Sequence, residues 1–149
     1  MRVGEICNRE VVVVGEEASV TEAAGIMREY HVGDVVIVQT RYGKQVPVGI
    51  LTDRDITLEI VARGADPDNI RVGDAMTFEL TTVSDDDDLM HVIEVMRSHG
   101  IRRVPVVDAD EALVGIMTVD DIVDLLSEIM VDLAHLVDSQ RRREAKSRP

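Results

Sequence analysis

Aromatic side chains are almost absent from this sequence, which has no tryptophan, one phenylalanine and two tyrosines among 149 residues. Because 45% of the residues are nevertheless hydrophobic, the chain predicts an aliphatic core of valine, isoleucine, leucine and methionine. Cysteine is nearly absent as well. The single Cys7 cannot form an internal disulfide, which is typical of a cytoplasmic protein, and we expect it to be a small buried apolar residue.

Positive charge is also scarce, since 16 Lys and Arg residues stand against 29 Asp and Glu, and the formal net charge is −13. Nucleic acids and anionic membranes both attract basic surfaces, so we expect neither as a partner. No apolar run has the length of a membrane-spanning helix, and residues 1–10 carry charges where a signal peptide has an apolar segment. The predicted location is therefore the cytoplasm.

The sequence contains two copies of one pattern. The first copy has VGILTDRDI at residues 48–56, and the second has VGIMTVDDI at residues 114–122, with six of nine positions identical. In the same way, RVGEICNREV at residues 2–11 matches RVGDAMTFEL at residues 71–80. Internal repetition on this scale indicates two structural repeats that share one core.

Each copy predicts the element order strand, helix, strand, strand, helix. The first helix of each copy has apolar residues at helical spacing: Val20, Ala23, Ala24 and Met27, then Leu89, Val92, Ile93 and Met96. Ser19 and Glu22 have capping-box spacing, and Asp88 is the predicted N-cap of the equivalent helix. The offset between copies falls from 69 to 66 residues after the first strand of each pair, which predicts hairpins of unequal length.

These elements predict a mixed α+β fold. We expect repeats at residues 1–64 and 71–130, a turn-rich linker at residues 65–70, and a helical tail at residues 131–149.

The C-terminal part of the sequence predicts one long helix over residues 120–147. Its apolar residues recur at helical spacing: Ile122, Leu125, Leu126, Ile129, Leu133, Leu136 and Val137. Because this stripe continues beyond the repeat itself, we expect it to contact a second chain, and we predict a homodimer.

The repeated Thr-X-X-Asp sequence has two readings. In the first, Thr52 and Thr118 cap helices, and Asp55 and Asp121 occupy the third helical position in a capping box. This reading does not explain the glycine three residues before each threonine, since glycine weakens a strand and often marks close approach of backbone or ligand. In the second reading, the same residues form a nucleotide site, with Asp for the ribose hydroxyls and Thr for phosphate.

The two Gly-apolar-apolar-Thr-X-X-Asp sequences, VPVVD at residues 104–108 and the two Arg-Val-Gly-acidic segments resemble a tandem pair of CBS domains, over roughly residues 3–130. The resemblance implies two β-α-β-β-α repeats related by pseudo-twofold symmetry, with ligand clefts between them. It also implies an adenosyl ligand, such as AMP, ADP, ATP or S-adenosylmethionine, and dimerisation. The family's roles carry over to Asp55 and Asp121 as ribose contacts, and to Thr52 and Thr118 as ribose or phosphate contacts.

The two copies differ in charge near the predicted phosphate position. The second copy has Arg102 and Arg103 where the first has Gly33 and Asp34, and Arg54 lies inside the first Thr-X-X-Asp sequence. We expect these arginines to bind phosphate, with unequal affinities in the two clefts. The alternative is that Arg102 and Arg103 form a solvated rim.

Other kinds of site lack their sequence signatures. The acidic run at residues 85–88 does not have calcium-loop spacing, and the histidines show no metal spacing, so we expect no metal. No nucleophile elbow or phosphate loop is present, and we expect no catalytic residue and no obligatory cofactor. The predicted function is a non-catalytic sensor of adenosyl ligands that modulates an unidentified protein. The alternative is a ligand-independent interaction protein or structural dimer.

Overall fold

A computed structural model describes residues 1–76 and 79–148. Thr77 and Phe78, which belong to the second copy of the repeated N-terminal segment, and Pro149 of the predicted tail lie outside the described residues. The chain forms two compact units, one comprising Met1–Met117 and the other beginning at Thr118.

The first repeat has the predicted element order, preceded by a short helix that the periodicity did not predict. Its elements are α1 (Val3–Ile6), β1 (Val13–Gly15), α2 (Val20–Tyr30), β2 (Asp34–Arg41), β3 (Lys44–Thr52) and α3 (Asp53–Asp55). The chain then continues from α3 as a π-helix, Ile56–Val61. We predicted an ordinary helix here. Six residues are fewer than two turns, so the periodicity cannot distinguish a π-helix from an α-helix.

The second repeat follows the same order. Its elements are α4 (Val72–Ala75), β4 (Val83–Ser84), α5 (Leu89–His99), β5 (Arg103–Val107) and β6 (Leu113–Thr118). The predicted long C-terminal helix is confirmed as α6, Val119–Ser147. The α+β fold class is therefore confirmed.

The strands form two small sheets of the same design, ordered β1-β2-β3 and β4-β5-β6. Strand β1 runs parallel to β2, with Val13 opposite Val36, and β4 runs parallel to β5, with Val83 opposite Val106. Parallel pairing requires a crossover connection, which α2 and α5 provide. Strands β2 and β3 form an antiparallel hairpin.

Local sequence signals set the ends of these elements. Ser19 and Glu22 form the predicted capping box of α2, and the Asp88 side chain accepts the Met90 N–H at the start of α5. Tyr42 and Gly43 have φ values of 51° and 77° between β2 and β3. Positive φ at both central residues is the geometry of a type I′ hairpin turn.

The core is aliphatic, as predicted, because its buried hydrophobic residues are valine, isoleucine, leucine, methionine, alanine and cysteine. One cluster consists of first-repeat residues, including Leu51, together with Val72 from the start of the second repeat. Another cluster joins Val36 and Ile50 of the first sheet to Ile116 of the second. The two repeats therefore share core residues.

The N-terminal segment of each repeat packs against the other repeat. The Gly4 N–H donates to the Asp85 carbonyl at 2.8 Å, and the Gly73 N–H donates to the Glu16 carbonyl at 3.1 Å. The two donors are 69 residues apart in sequence, and so are the two acceptors. This reciprocal exchange is the geometry expected of pseudo-twofold symmetry within the first unit, and it fixes the repeats against each other.

Candidate functional site

A cavity of about 340 Å³ lies within the first compact unit. It is lined by Ile50 and residues 52–55 at the end of β3, by residues 79–81 before β4, and by residues 100–103 between α5 and β5. Both repeats therefore contribute to it. Its volume is in the range of small-molecule sites, roughly 300–1,000 Å³.

The structure brings five of the seven predicted site residues to this cavity. They are Thr52, Arg54, Asp55, Arg102 and Arg103. Thr52, Arg54 and Asp55 belong to one short segment of the first repeat. Arg102 and Arg103 belong to the second repeat. No ligand contact tests their roles, which remain predictions.

Thr52 and Asp55 form the predicted capping box. The Thr52 hydroxyl accepts the Asp55 N–H at 3.0 Å, and Asp55 Oδ2 accepts the Thr52 N–H at 2.9 Å. Among the residues that the structure describes, Oδ1 of Asp55 has no hydrogen-bond partner. The residue is half-buried beside the cavity, so capping leaves one carboxylate oxygen available to a ligand hydroxyl.

Thr118 and Asp121 repeat this geometry at the start of α6. Asp121 Oδ2 accepts the Thr118 N–H at 2.9 Å and the Thr118 hydroxyl at 2.7 Å, and the hydroxyl accepts the Asp121 N–H at 3.1 Å. The capping prediction is confirmed here too. Both residues belong to the second unit. Their role in a second ligand cleft remains a prediction.

Arg103 has a partner that the sequence did not reveal. Its Nη1 donates to Oδ2 of Asp34, with side-chain exposures of 29% for Arg103 and 20% for Asp34. Sequence reasoning treated Asp34 only as the acidic residue at the position that corresponds to Arg103. The same alignment contained the signal for this pair, because equivalent residues of two repeats meet where a pseudo-twofold axis passes between them.

The repeated glycines make room for the chain rather than for a ligand. A Cβ atom on Gly115 would lie 2.6 Å from the Cys7 sulfur and 2.8 Å from the Asn8 carbonyl oxygen. A Cβ atom on Gly49 would lie 2.8 Å from Cγ of Met76. Cys7 and Met76 are equivalent residues of the two repeats. Each glycine therefore accommodates the N-terminal segment of a repeat. This close packing explains why a glycine stands three residues before each threonine.

A second cavity in the first unit lies beside β1 and α2 of the first repeat. It is lined by Asn8, residues 10–13, Ile26, Glu29, Tyr30 and Val32. Its charged lining residues are Glu10 and Glu29, and no lysine or arginine is among the described residues that line it. Acidic side chains are therefore the charged lining of this cavity, whereas three arginines line the first cavity.

Lys44 and Asp110 form an ion pair in which the pKa values of both groups are shifted. Lys44 Nζ donates to Oδ2 of Asp110 at 2.5 Å, between the first and the second repeat. The hydrogen bond from Lys44, followed by its charge, lowers the pKa of Asp110 below its usual 3.8, and the bond to Asp110 raises the pKa of Lys44 above 10.5. The pair is exposed, so it contributes little to stability.

Along the part of the chain that the structure describes, none of the helices combines the length and apolar character needed to span a bilayer. Within residues 1–76 and 79–148, no cluster of three or more His, Cys, Asp or Glu side chains could hold a metal ion.

The fold defines the class of protein, which consists of two tandem α+β repeats that share a core. The chain belongs to the CBS domain family, because the sequence model of the CBS domain matches residues 3–62 and again residues 72–128. The resemblance noted in the sequence is therefore confirmed.

Two relatives illustrate the sequence similarity. The chain is 37% identical over 123 residues to an uncharacterized protein of Methanopyrus kandleri, covering 83% of this chain and 61% of that protein. The chain thus spans less than two thirds of the length of that relative. It is 36% identical over 124 residues to hypoxic response protein 1 of Mycobacterium tuberculosis, covering 83% of this chain and 84% of that protein.

Two solved structures have folds similar to that of this chain. A crystal structure of Hypoxic Response Protein I with two coordinated zinc ions matches with a TM-score of 0.71 and 34% identity, covering 83% of this chain and 98% of that one. A CBS domain protein of Pyrobaculum aerophilum complexed with AMP matches with a TM-score of 0.72 and 32% identity, covering 81% of this chain and 89% of that one.

Proposed function

We propose that this protein is a non-catalytic regulatory module that binds an adenosyl ligand in the first cavity and thereby modulates a partner protein. The observation that carries the proposal is the meeting of Thr52, Asp55 and three arginines from both repeats around one cavity. The AMP complex of the Pyrobaculum aerophilum relative supports an adenine nucleotide as the ligand. AMP, ADP, ATP and S-adenosylmethionine are the candidates.

Seven of the residues that line the cavity have proposed roles. Oδ1 of Asp55 accepts a ribose hydroxyl, because Oδ2 is already used in capping. The Thr52 hydroxyl contacts ribose or phosphate, and Arg54, Arg102 and Arg103 bind phosphate through charge-assisted hydrogen bonds. Ile50 and Leu80 offer apolar contact to the base.

A second cleft completes the proposal, with Thr118 and Asp121 in the equivalent roles. Arg54, Arg102 and Arg103 all line the first cavity, so we expect the first cavity to bind a phosphate-bearing ligand more tightly than the second site does.

The ligand acts by changing an equilibrium rather than by reacting. Both repeats line the cavity, so a ligand that binds one arrangement of the repeats more tightly shifts the population towards it. The partner responds to that arrangement, and the coupling is reciprocal, so the partner also alters ligand affinity. The scarcity of cysteine, with Cys7 alone in the sequence, supports a cytoplasmic location.

Thermal unfolding against a nucleotide panel tests the proposal. A ligand present at about 100 times its dissociation constant adds roughly 2.7 kcal/mol to the free energy of unfolding. We expect such a shift for at least one adenosyl compound and none for the corresponding guanosine compound at the same concentration. Native mass spectrometry of the purified protein would identify a co-purified nucleotide. No shift with any adenosyl compound would refute the proposal.

The second candidate function is a structural or interaction dimer that needs no ligand, and the exposed apolar side chains of α6 favour it. They are Val123, Leu126, Ile129, Met130, Val131, Leu133, Leu136 and Val137. Most of them recur at spacings of three and four residues, the pattern of a helix that packs against another helix. We therefore propose that α6 contributes to a homodimer interface, with or without ligand.

The charges of α6 favour an antiparallel arrangement of two copies. Residues 119–137 contain five Asp or Glu and no Lys or Arg, whereas residues 138–148 contain five Lys or Arg and two Asp or Glu. Parallel helices would place like charges side by side. Analytical ultracentrifugation with and without nucleotide separates the two functions, since a pure structural dimer shows the same dissociation constant in both.

A further inference from the structure

Asp34 and Arg103 occupy equivalent positions of the two repeats, each as the first residue of its strand. Both are partly buried, and the ion pair between them joins one repeat to the other. Arg103 also lines the first cavity. Asp34 is opposite Thr52 in the β2–β3 register, and its carboxylate contacts Arg103, so the carboxylate lies beside the proposed ligand site.

The pair changes what Arg103 can offer to a ligand. A carboxylate and a phosphate use the same guanidinium donors. A phosphate that binds Arg103 must therefore either displace Asp34 or bind beside an anion that is already in place. Because the pair is partly buried, solvent and salt screen this repulsion less than they would at an open surface.

The charges around the cavity lead to the same conclusion. Three lining acids, Asp53, Asp55 and Glu79, stand against three lining arginines, at positions 54, 102 and 103. Asp34 is a fourth acid in contact with one of these arginines, so the formal sum is three positive and four negative charges. A site with this sum accepts a ligand with little phosphate charge more readily than a triphosphate.

We propose that Asp34 is a specificity-determining residue, which restricts the first cavity to adenosyl ligands with at most one phosphate and discriminates against ATP. The inference rests on the proposed function, because it concerns the ligand of the same cavity. It assigns the ligand class to AMP, adenosine or S-adenosylmethionine.

Calorimetric titration of the full chain with adenosine, AMP and ATP, before and after Asp34→Asn, tests the inference. The substitution preserves shape and removes charge, so we expect at least tenfold tighter ATP binding, a smaller gain for AMP and less than twofold change for adenosine. Tenfold corresponds to about 1.4 kcal/mol. In the double variant Asp34→Asn, Arg103→Gln, the gain for ATP should disappear, because it depends on the freed guanidinium.

Asp110→Asn is the matched control, since it removes one carboxylate from another ion pair that also joins the repeats. It should leave the ratio of ATP to AMP dissociation constants within about twofold of the unmodified protein. A similar change of the ratio in this control would attribute the effect to net charge and overturn the role of Asp34.

A measurement on the unmodified protein keeps the inference testable if Asp34→Asn fails to fold. We expect the dissociation constant to rise from AMP to ADP to ATP at low salt, and the differences to shrink at high salt. Tighter binding of ATP than of AMP at low salt would overturn the inference while the proposed function stands. If the protein binds no adenosyl compound at all, the proposed function fails and the inference fails with it.

Discussion

Replacing Asp55 with alanine removes a carboxylate that has two separable roles. One role is structural, because Oδ2 accepts the Thr52 N–H in the capping box. Loss of this hydrogen bond, which leaves the partly buried Thr52 N–H without its acceptor, costs about 1 kcal/mol of unfolding free energy. For a unit of this size the melting temperature would fall by about 4 °C. The second role is the proposed contact between Oδ1 and a ribose hydroxyl.

Loss of the proposed ligand contact should change the free energy of AMP binding by more than loss of the cap changes the free energy of unfolding. A hydrogen bond to a charged group contributes roughly 1.5–3 kcal/mol. Its loss should weaken AMP binding in the first cavity roughly 10- to 150-fold, since each 1.4 kcal/mol is a factor of ten. Isothermal titration calorimetry measures the dissociation constant, and a thermal melt without ligand measures the capping term separately.

Asp121→Ala is the matched control, because Asp121 forms the equivalent capping box at the start of α6. We expect a similar loss of stability, while the tighter of two nucleotide sites keeps its dissociation constant. If Asp55→Ala left the tight site unchanged, or if Asp121→Ala abolished that site, the assignment of the first cavity would be wrong.

Three further predictions concern packing, pH and assembly. Gly115→Ala should destabilise the protein by roughly 1–3 kcal/mol, because the new methyl group meets the Cys7 sulfur, and denaturant unfolding would show it. The lowered pKa of Asp110 means that its ion pair stabilises the folded state above the ordinary aspartate pKa of 3.8 and is lost as pH falls through the lower folded-state value. Acid unfolding curves of Lys44→Met and the unmodified protein should therefore converge at the lowest pH. Leu133→Arg should convert a dimer to monomer in sedimentation velocity, and an unchanged sedimentation coefficient would place the interface elsewhere.

Sequence reasoning predicted the parts of the fold that depend on local chemistry. The capping boxes at Ser19, Thr52 and Thr118 follow from side chains three residues apart, and the structure has all three. The long helix α6 follows from a sustained helical period. Alignment of the two copies also predicted the order of elements in each repeat. It predicted hairpins of unequal length as well, because the offset between equivalent residues changes there.

The contacts between repeats could not be predicted in the same way. Nothing local in the sequence shows that Gly4 meets Asp85, or that Gly115 faces Cys7. These contacts depend on how one repeat is placed against the other. The five site residues around the cavity were predicted from the family's pattern and the repeat alignment, and Asp34 was missed because its importance arises only from its contact with Arg103.

A crystal structure of the protein grown with AMP tests the central claim most directly. The account predicts a nucleotide in the cavity of the first unit, with a ribose hydroxyl within hydrogen-bond distance of Asp55 Oδ1 and the phosphate near Arg54 or Arg102. AMP bound only outside this cavity, or an empty cavity at saturating AMP, would contradict it.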